Sequence, residues 1–204
     1  MYSKTITNNA GTREVLGLFR RVVVLRGIFM LLLLFSTGSA VAKDFLINSA
    51  EIVLSEKVYQ LNARLEFDFS KDVMRAIDNG VPVVIELDIE ILRPRNYFWD
   101  KEIATLEQRY QLQYHALSEQ YIVRNLNSGA QYTFFSLVAS LQKIGHVDHL
   151  PIIDEQLLTE SDSEKLYARI RTQLGFDDLP VPLKLNALIS RSWWLSSDWV
   201  ELNF

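Results

Sequence analysis

The chain has no cysteine among its 204 residues. This excludes disulfide bonds, a thiolate nucleophile, cysteine-ligated metals and lipid attachment at an N-terminal cysteine. Glycine is also scarce, and after residue 42 the glycines stand alone, at Gly80, Gly129, Gly145 and Gly175. A loop that cradles phosphate needs clustered glycines so that backbone amides can approach the anion. Nucleotide chemistry is therefore excluded, and so is the G-x-S-x-G turn of the α/β-hydrolases.

Histidine is the third rare residue, with three in the chain. His146 and His149 form the motif "HVDH", and Asp148 or Asp154 could complete a metal site with them. Two histidines three residues apart are common by chance, however, and no longer zinc-protease pattern surrounds them. We therefore expect no metal and no cofactor.

The N-terminal segment has the features of an export signal. Four arginines precede an unbroken apolar run at 28–35, and "AVA" at 40–42 is typical of a cleavage site. We predict a signal peptide at 1–42. The alternative is an uncleaved anchor, since 22–42 is long enough to span a bilayer if Arg26 reaches the interface. Both alternatives place 43–204 outside the cytoplasmic membrane, in the periplasm or cell envelope.

The charge of the chain changes once this leader is set aside. Residues 43–204 hold 16 Lys and Arg against 24 Asp and Glu, a net charge of −8. An acidic domain is soluble and has little affinity for nucleic acid or an anionic membrane surface. We therefore expect no nucleic-acid partner, and contact with the membrane only through the N-terminal segment if it is retained.

Most of the remaining chain alternates apolar and polar residues with a period of two, which is typical of half-buried strands. In "VPVVIELDIEILRP", for example, Val83, Ile85, Leu87, Ile89 and Ile91 share one phase, opposite Glu86, Asp88 and Glu90. The pattern predicts strands at 45–54, 57–69, 82–93, 103–116, 119–126 and 164–173.

Two short segments break this alternation. Each begins at a serine suited to cap a helix, Ser70 or Ser136, and ends at a glycine, Gly80 or Gly145. They predict two short helices that connect strands. The segment 146–162 shows no clear period and is predicted to be a surface loop. Strands with one polar face and few helices between them favour a single antiparallel β-sandwich domain over 43–204.

Acidic residues suggest one possible site. Glu66, Asp68, Glu86, Asp88 and Glu90 would point the same way if strands 57–69 and 82–93 shared a sheet. Paired carboxylates can hydrolyse glycosides or hold calcium. Alternating charges also keep an exposed sheet face soluble, and we prefer this interpretation.

Aromatic and basic residues suggest a second candidate, an interaction surface. "RPRNYFWDKE" follows a strand and gathers Arg93, Arg95, Tyr97, Phe98 and Trp99 in one connection. Such residues are favoured at interfaces, although the rings could instead fold back onto the sandwich. The tail "RSWWLSSDWVELNF" holds three of the four tryptophans. Its phase changes at "SSD", so Val200, Leu202 and Phe204 are expected to close the core, while Trp194 and Trp199 stay candidates for binding.

Several stretches together resemble a known family. "SAEIVLSEKVYQLNARLEFDFS", "NGVPVVIELDIEILRPRNYFWD", "YQLQYHALSEQYIV" and "LPVPLKLNALISRSWWLSSDWVELNF" are similar to the exported Gram-negative bacterial proteins of domain-of-unknown-function family 4390. The resemblance implies no catalytic residue or ligand. Because genes of that family often lie near a membrane-bound sensor kinase, it implies a role in the envelope linked to sensing.

We expect an exported, non-catalytic module that binds another envelope protein. One alternative is a hydrolase that uses the surface carboxylates or the 146–154 segment. The other is a carrier that holds a small apolar ligand between the sheets. Converging carboxylates would favour the hydrolase, an internal cavity the carrier, and a filled core with exposed arginine and aromatic side chains the binding module.

Overall fold

The computed structural model of the protein describes residues 45–95, 97, 99–158, 166–176 and 179–204, apart from the side chain of Asn186. The predicted leader, 1–42, lies outside these residues. Cleavage after Ala42 or retention as an anchor therefore stays a prediction.

The described part of the chain forms nine strands in two antiparallel sheets. They are β1 (Phe45–Ser55), β2 (Val58–Phe67), β3 (Val83–Arg93), β4 (Lys101–His115), β5 (Gln120–Asn125), β6 (Gln131–Phe134), β7 (His146–Asp154), β8 (Tyr167–Gly175) and β9 (Val200–Asn203). The smaller sheet has the order β1-β2-β7, and the larger has the order β6-β5-β4-β3-β8-β9. The six predicted strands are confirmed as β1–β5 and β8.

Apolar side chains of both sheets meet in a shared core. Leu61 of β2 and Val147 of β7 pack in one cluster with Leu87 and Ile89 of β3 and Ile170 of β8. All five are buried because each belongs to the inward phase of its strand. Side chains therefore fill the space between the sheets along this part of the described chain, and the predicted β-sandwich is confirmed.

Three α-helices lie in the described residues: α1 (Lys71–Asp78), α2 (Leu137–Gly145) and α3 (Val181–Ile189). The two predicted capping serines are confirmed. Ser70 Oγ accepts the backbone N–H of Val73 at 3.3 Å, and Ser136 Oγ accepts that of Ala139 at 3.2 Å. Each bond satisfies a donor that the first turn of a helix leaves without a partner.

The prediction of a surface loop at 146–162 is wrong over its first nine residues, which form β7. This strand pairs with β2 through two register shifts, and His149 has a positive φ of 52°. Bulges of this kind interrupt the alternation of inward and outward side chains. Strand β6 and helix α3 are also absent from the sequence prediction.

The C-terminal tail closes the core as predicted. Trp193 and Leu195 are buried, and β9 pairs with β8. The pairing shifts by one residue between the Gln173–Ser196 bridge and the Ile170–Val200 pair, so the change of phase at "SSD" is a bulge. Val200, Leu202 and Phe204 pack against the core between the sheets.

Candidate interaction surface

The connection between β3 and β4 is an exposed aromatic loop. Tyr97 is 90% exposed and Trp99 is 93% exposed, so neither ring folds back onto the sandwich. Arg95 is also exposed, whereas Arg93, the last residue of β3, is half-buried. Phe98 lies outside the described residues. Large apolar rings held in water at one hairpin are the kind of surface that protein partners cover.

A hydrogen-bonded aspartate holds the base of this loop. Asp100 accepts the backbone N–H of Arg95 through Oδ1 at 3.1 Å and the hydroxyl of Tyr167 through Oδ2 at 2.5 Å. The bond from Tyr167 lowers the pKa of Asp100, and the same bond raises the pKa of Tyr167 to about 12. The loop is thus fixed to β8, which reduces the entropy that a partner would have to remove on binding.

The outward face of β8 continues from Tyr167 through Arg169 and Arg171, because alternate residues of a strand share one face. Trp199, just before β9, lies over both arginines, with its ring centroid 4.6 Å from Arg169 Cζ and 4.5 Å from Arg171 Cζ. These are cation–π contacts, and they leave Trp199 half-buried. Sequence reasoning missed the two arginines because their contact with Trp199 depends on the pairing of β8 with β9.

The same arginines neutralise the acidic face of β3. Arg169 Nη2 lies 2.6 Å from Glu90 Oε2, and Arg171 Nη2 lies 2.8 Å from Asp88 Oδ2. These pairs follow from the register, which sets each arginine opposite its carboxylate. We call the loop residues Arg95, Tyr97 and Trp99, together with Tyr167, Arg169, Arg171 and Trp199, the aromatic–arginine surface.

The condition under which the five acidic residues would point the same way, a sheet shared by strands 57–69 and 82–93, is not met. Glu66 belongs to β2 in the three-stranded sheet, whereas Glu86, Asp88 and Glu90 belong to β3 in the six-stranded sheet. Asp68 follows the end of β2. The acidic residues therefore lie on two sheets instead of on one shared face.

Glu86 is the buried member of the acidic face, with 9% of its surface exposed. Burial raises its pKa, as does repulsion from Glu107 and Asp88, while Arg109 at 3.5 Å opposes the increase. The space for its carboxyl comes from Gly175, since a Cβ at that position would lie 2.3 Å from Glu86 Oε1. The groups that shift this pKa are side chains on neighbouring strands and on β3 itself.

The two histidines of "HVDH" lie on β7 and are hydrogen-bonded to neighbouring elements, His146 to α2 and His149 to β2. His146 Nδ1 lies 2.7 Å from the carbonyl oxygen of Gln142, and His149 Nδ1 lies 3.2 Å from Gln60 Oε1. Nowhere in the described ranges do three His, Asp or Glu side chains form a group that could hold a metal ion.

Trp194 belongs to a different part of the molecule from the aromatic loop. Its Nε1 donates to the carbonyl oxygen of Ala187 in α3 at 3.1 Å, and its ring centroid lies 6.4 Å from that of Phe176. Phe176 follows the Gly175 end of β8, whereas the loop is bonded to the Tyr167 end. The candidate residues from the sequence therefore separate into two surfaces.

Sequence reasoning missed the exposed side of α3. Val181, Leu185, Leu188 and Ile189 are exposed, and their spacing of four, three and one residues places them on one face of a helix. Pro180 and Pro182 stand at the start of α3, where proline is tolerated because the first turn lacks intrahelical partners for its N–H groups. The spacing within "VPLKLNALI" is the signal that could have found this face.

Comparisons with known proteins give one result. No curated protein and no solved structure matches the chain. A family model described as "Domain of unknown function (DUF4390)" matches residues 42–203, which covers all the strands and helices described above. The chain therefore belongs to the DUF4390 family.

Proposed function

We propose that this protein is an exported, non-catalytic binding module of the cell envelope, and that it binds an envelope protein through the aromatic–arginine surface. The observation that carries the proposal is the exposure of Tyr97 and Trp99 on a loop that Asp100 fixes to β8. Tryptophan, tyrosine and arginine are the residues that most often dominate the binding energy of protein interfaces.

The filled core supports binding at the surface over a ligand held between the sheets. Leu61, Leu87 and Ile170 occupy the centre of the sandwich and are fully buried. The ion pairs on β3 support binding over hydrolysis, because Asp88 and Glu90 are each held by an arginine. A hydrolytic pair needs one carboxyl to donate a proton while the other attacks or activates water.

Export through the N-terminal leader is part of the proposal. The apolar run at 28–35 and the "AVA" at 40–42 support it. The family resemblance implies a role linked to sensing, so the outer domain of a membrane-bound sensor kinase is the first partner to test.

The test uses a photo-reactive amino acid in place of Tyr97 in the full chain, expressed in cells. The matched control carries it at Leu117, which is 95% exposed in the turn between β4 and β5, at the other end of β4. We expect a light-dependent adduct with one envelope protein, identified by mass spectrometry, from position 97 and not from position 117.

A second variant tests whether the adduct depends on the aromatic loop itself. Trp99→Ala added to the position-97 protein should reduce the adduct, since truncation of a dominant interface residue costs about 2 kcal/mol or more, roughly thirtyfold in affinity. An adduct of equal yield from positions 97 and 117, or one that Trp99→Ala leaves unchanged, would overturn the proposal.

A further inference from the structure

Helix α3 is apolar on the side that faces water as well as on the side that faces the core. Ala187 is buried in the core, while Val181, Leu185, Leu188 and Ile189 are exposed, the last by 84%. The exposed residues of α1 are instead Lys71, Arg75 and Asp78. The exposed face of α3 is thus apolar where that of α1 is charged, and such a face is typical of a surface that something covers.

Trp194 extends this face. It is 61% exposed, and its indole N–H is bonded to the backbone of α3. Tryptophan is enriched where protein meets the headgroup region of a bilayer, because its ring is apolar and its N–H is polar. We call Val181, Leu185, Leu188, Ile189 and Trp194 the α3 patch.

The charges beside the α3 patch are mixed. Residues 179–195 include Lys184 and Arg191, while Asp177 and Asp178 precede this segment in the sequence and Asp72 of α1 is bonded to Ser192 within it. No net positive charge therefore surrounds the patch, and its affinity for a bilayer would come from burial of its apolar side chains.

The α3 patch lies at the end of the domain where the chain enters it. Phe45, the first described residue, is buried in the same cluster as Ala187 and Trp193. It packs 5.7 Å from Phe69, which leads into α1, and Asp72 of α1 accepts the hydroxyl of Ser192 at 2.5 Å. The segment predicted to be directed to the membrane ends at residue 42.

We propose that the α3 patch docks on the surface of the lipid bilayer, with its apolar side chains in the interface and α3 parallel to the membrane. With nine residues, α3 is about 14 Å long, too short to cross a hydrocarbon core of about 30 Å. No helix in the described ranges is long and apolar enough to span a membrane.

Docking would also orient the aromatic–arginine surface. The α3 patch adjoins the Gly175 end of β8 and the loop is bonded to the Tyr167 end, about 26 Å away along the strand. The loop would then face away from the lipid, towards a partner. The proposal stands whether or not that partner exists, because it concerns a different surface.

The absence of cysteine allows a direct test in the full chain. Leu185→Cys and, as a matched control, Glu102→Cys are labelled with an environment-sensitive fluorophore and reconstituted in vesicles. Glu102 is exposed and pairs with Leu92, which pairs with Tyr167, so it lies at the end of the sheet opposite the α3 patch. One vesicle is phosphatidylcholine alone and the other contains phosphatidylglycerol as well. We expect the label at 185 to be quenched by nitroxide lipids and shielded from iodide in water, and the label at 102 to show the reverse. We expect this quenching in both vesicles, because apolar side chains and not a net positive charge would bind the lipid.

A second pair of variants tests the surface without disturbing the core. With the label moved to Val181→Cys, Leu185→Ser and Ile189→Ser should each lower the ratio of docked to undocked protein roughly tenfold. Iodide access at 185 equal to that at 102 in both vesicles would overturn the proposal. Shielding from iodide without lipid quenching would also overturn it, since the patch would then be covered by protein.

Discussion

The hydroxyl of Tyr167 lies 2.5 Å from Asp100 Oδ2. The end of the exposed aromatic loop is therefore bonded to β8 of the larger sheet. The two residues are 67 positions apart in sequence, and the register of β3 with β8 brings them together by pairing Leu92 with Tyr167. The same strand carries Arg169 and Arg171 to Trp199. One strand thus positions both halves of the aromatic–arginine surface.

The Tyr167–Asp100 bond predicts a loss of stability in alkali. The folded protein holds the proton of Tyr167 more tightly than the unfolded chain does, because the folded pKa is about 12 and the ordinary value is 10. The stabilisation is therefore complete below pH 10 and is lost as the pH rises towards 12. Between pH 9 and 11.5 or so, the difference in free energy of unfolding between wild type and Tyr167→Phe should shrink, as measured by urea denaturation. A difference that grows over this range would contradict the assignment.

The raised pKa of Glu86 predicts how the stability of the protein changes when this buried charge is removed. Its pKa is raised from the ordinary 4.5, so the folded state binds the proton more tightly than the unfolded state and stability falls as the pH rises through the raised value. Glu86→Gln cannot ionise, and we expect its stability relative to wild type to increase as the pH rises above 4.5. Urea denaturation at several pH values measures this, with Glu102→Gln, an exposed residue of β4, as the control. A relative loss of stability at pH 8 would show that the pair with Arg109 outweighs burial.

Alanine substitutions at the two adjacent tryptophans of the tail should differ in how much stability they cost. Trp193 is buried, and Trp193→Ala should cost about 3–5 kcal/mol through lost burial and the cavity that remains. Trp194→Ala removes an exposed ring and one hydrogen bond, at a cost of about 1 kcal/mol or less. Equilibrium denaturation of the two variants is the measurement. Equal losses would mean that the tail does not separate into a core residue and a surface residue.

A glycine substitution in the turn between β1 and β2 should stabilise the folded protein. Glu56 and Lys57 have φ values of 51° and 67°, a conformation that costs residues with a Cβ more than it costs glycine. Lys57→Gly should therefore raise the free energy of unfolding by about 0.5–1 kcal/mol. Lys101→Gly, at the start of β4, should lower it, since glycine weakens a strand. A loss of stability in both variants would argue against strain in the turn.

Local signals predicted much of the fold, and the failures have physical causes. The alternation on β3 was readable because each inward residue packs between the sheets. On β7, two register shifts and Pro151 break the alternation, so the same kind of strand resembled a loop. Helix α3 spans only nine residues and exposes apolar side chains to water, so it lacks the polar face by which an amphipathic helix is recognised.

The candidate site was less predictable than the fold. The sequence singled out Tyr97, Trp99, Trp194 and Trp199 by residue type, and the exposure of Tyr97 and Trp99 agrees with that choice. The sequence could not predict that Trp194 bonds to α3 or that Trp199 lies over Arg169. Both contacts join separate elements of the fold, and no local pattern shows which elements become neighbours. The α3 patch was missed altogether.

The sequence by itself determined the strands with a polar face, the capped helices and the chemistries that the absence of cysteine and clustered glycine excludes. These follow from local periodicity and residue type, which act within a few positions of the chain. Only the tertiary structure decided which carboxylates meet which arginines, and that the aromatic loop and the α3 patch lie at opposite ends of β8. Strand order is set by long-range pairing of sheets around a common core, and no local pattern encodes it.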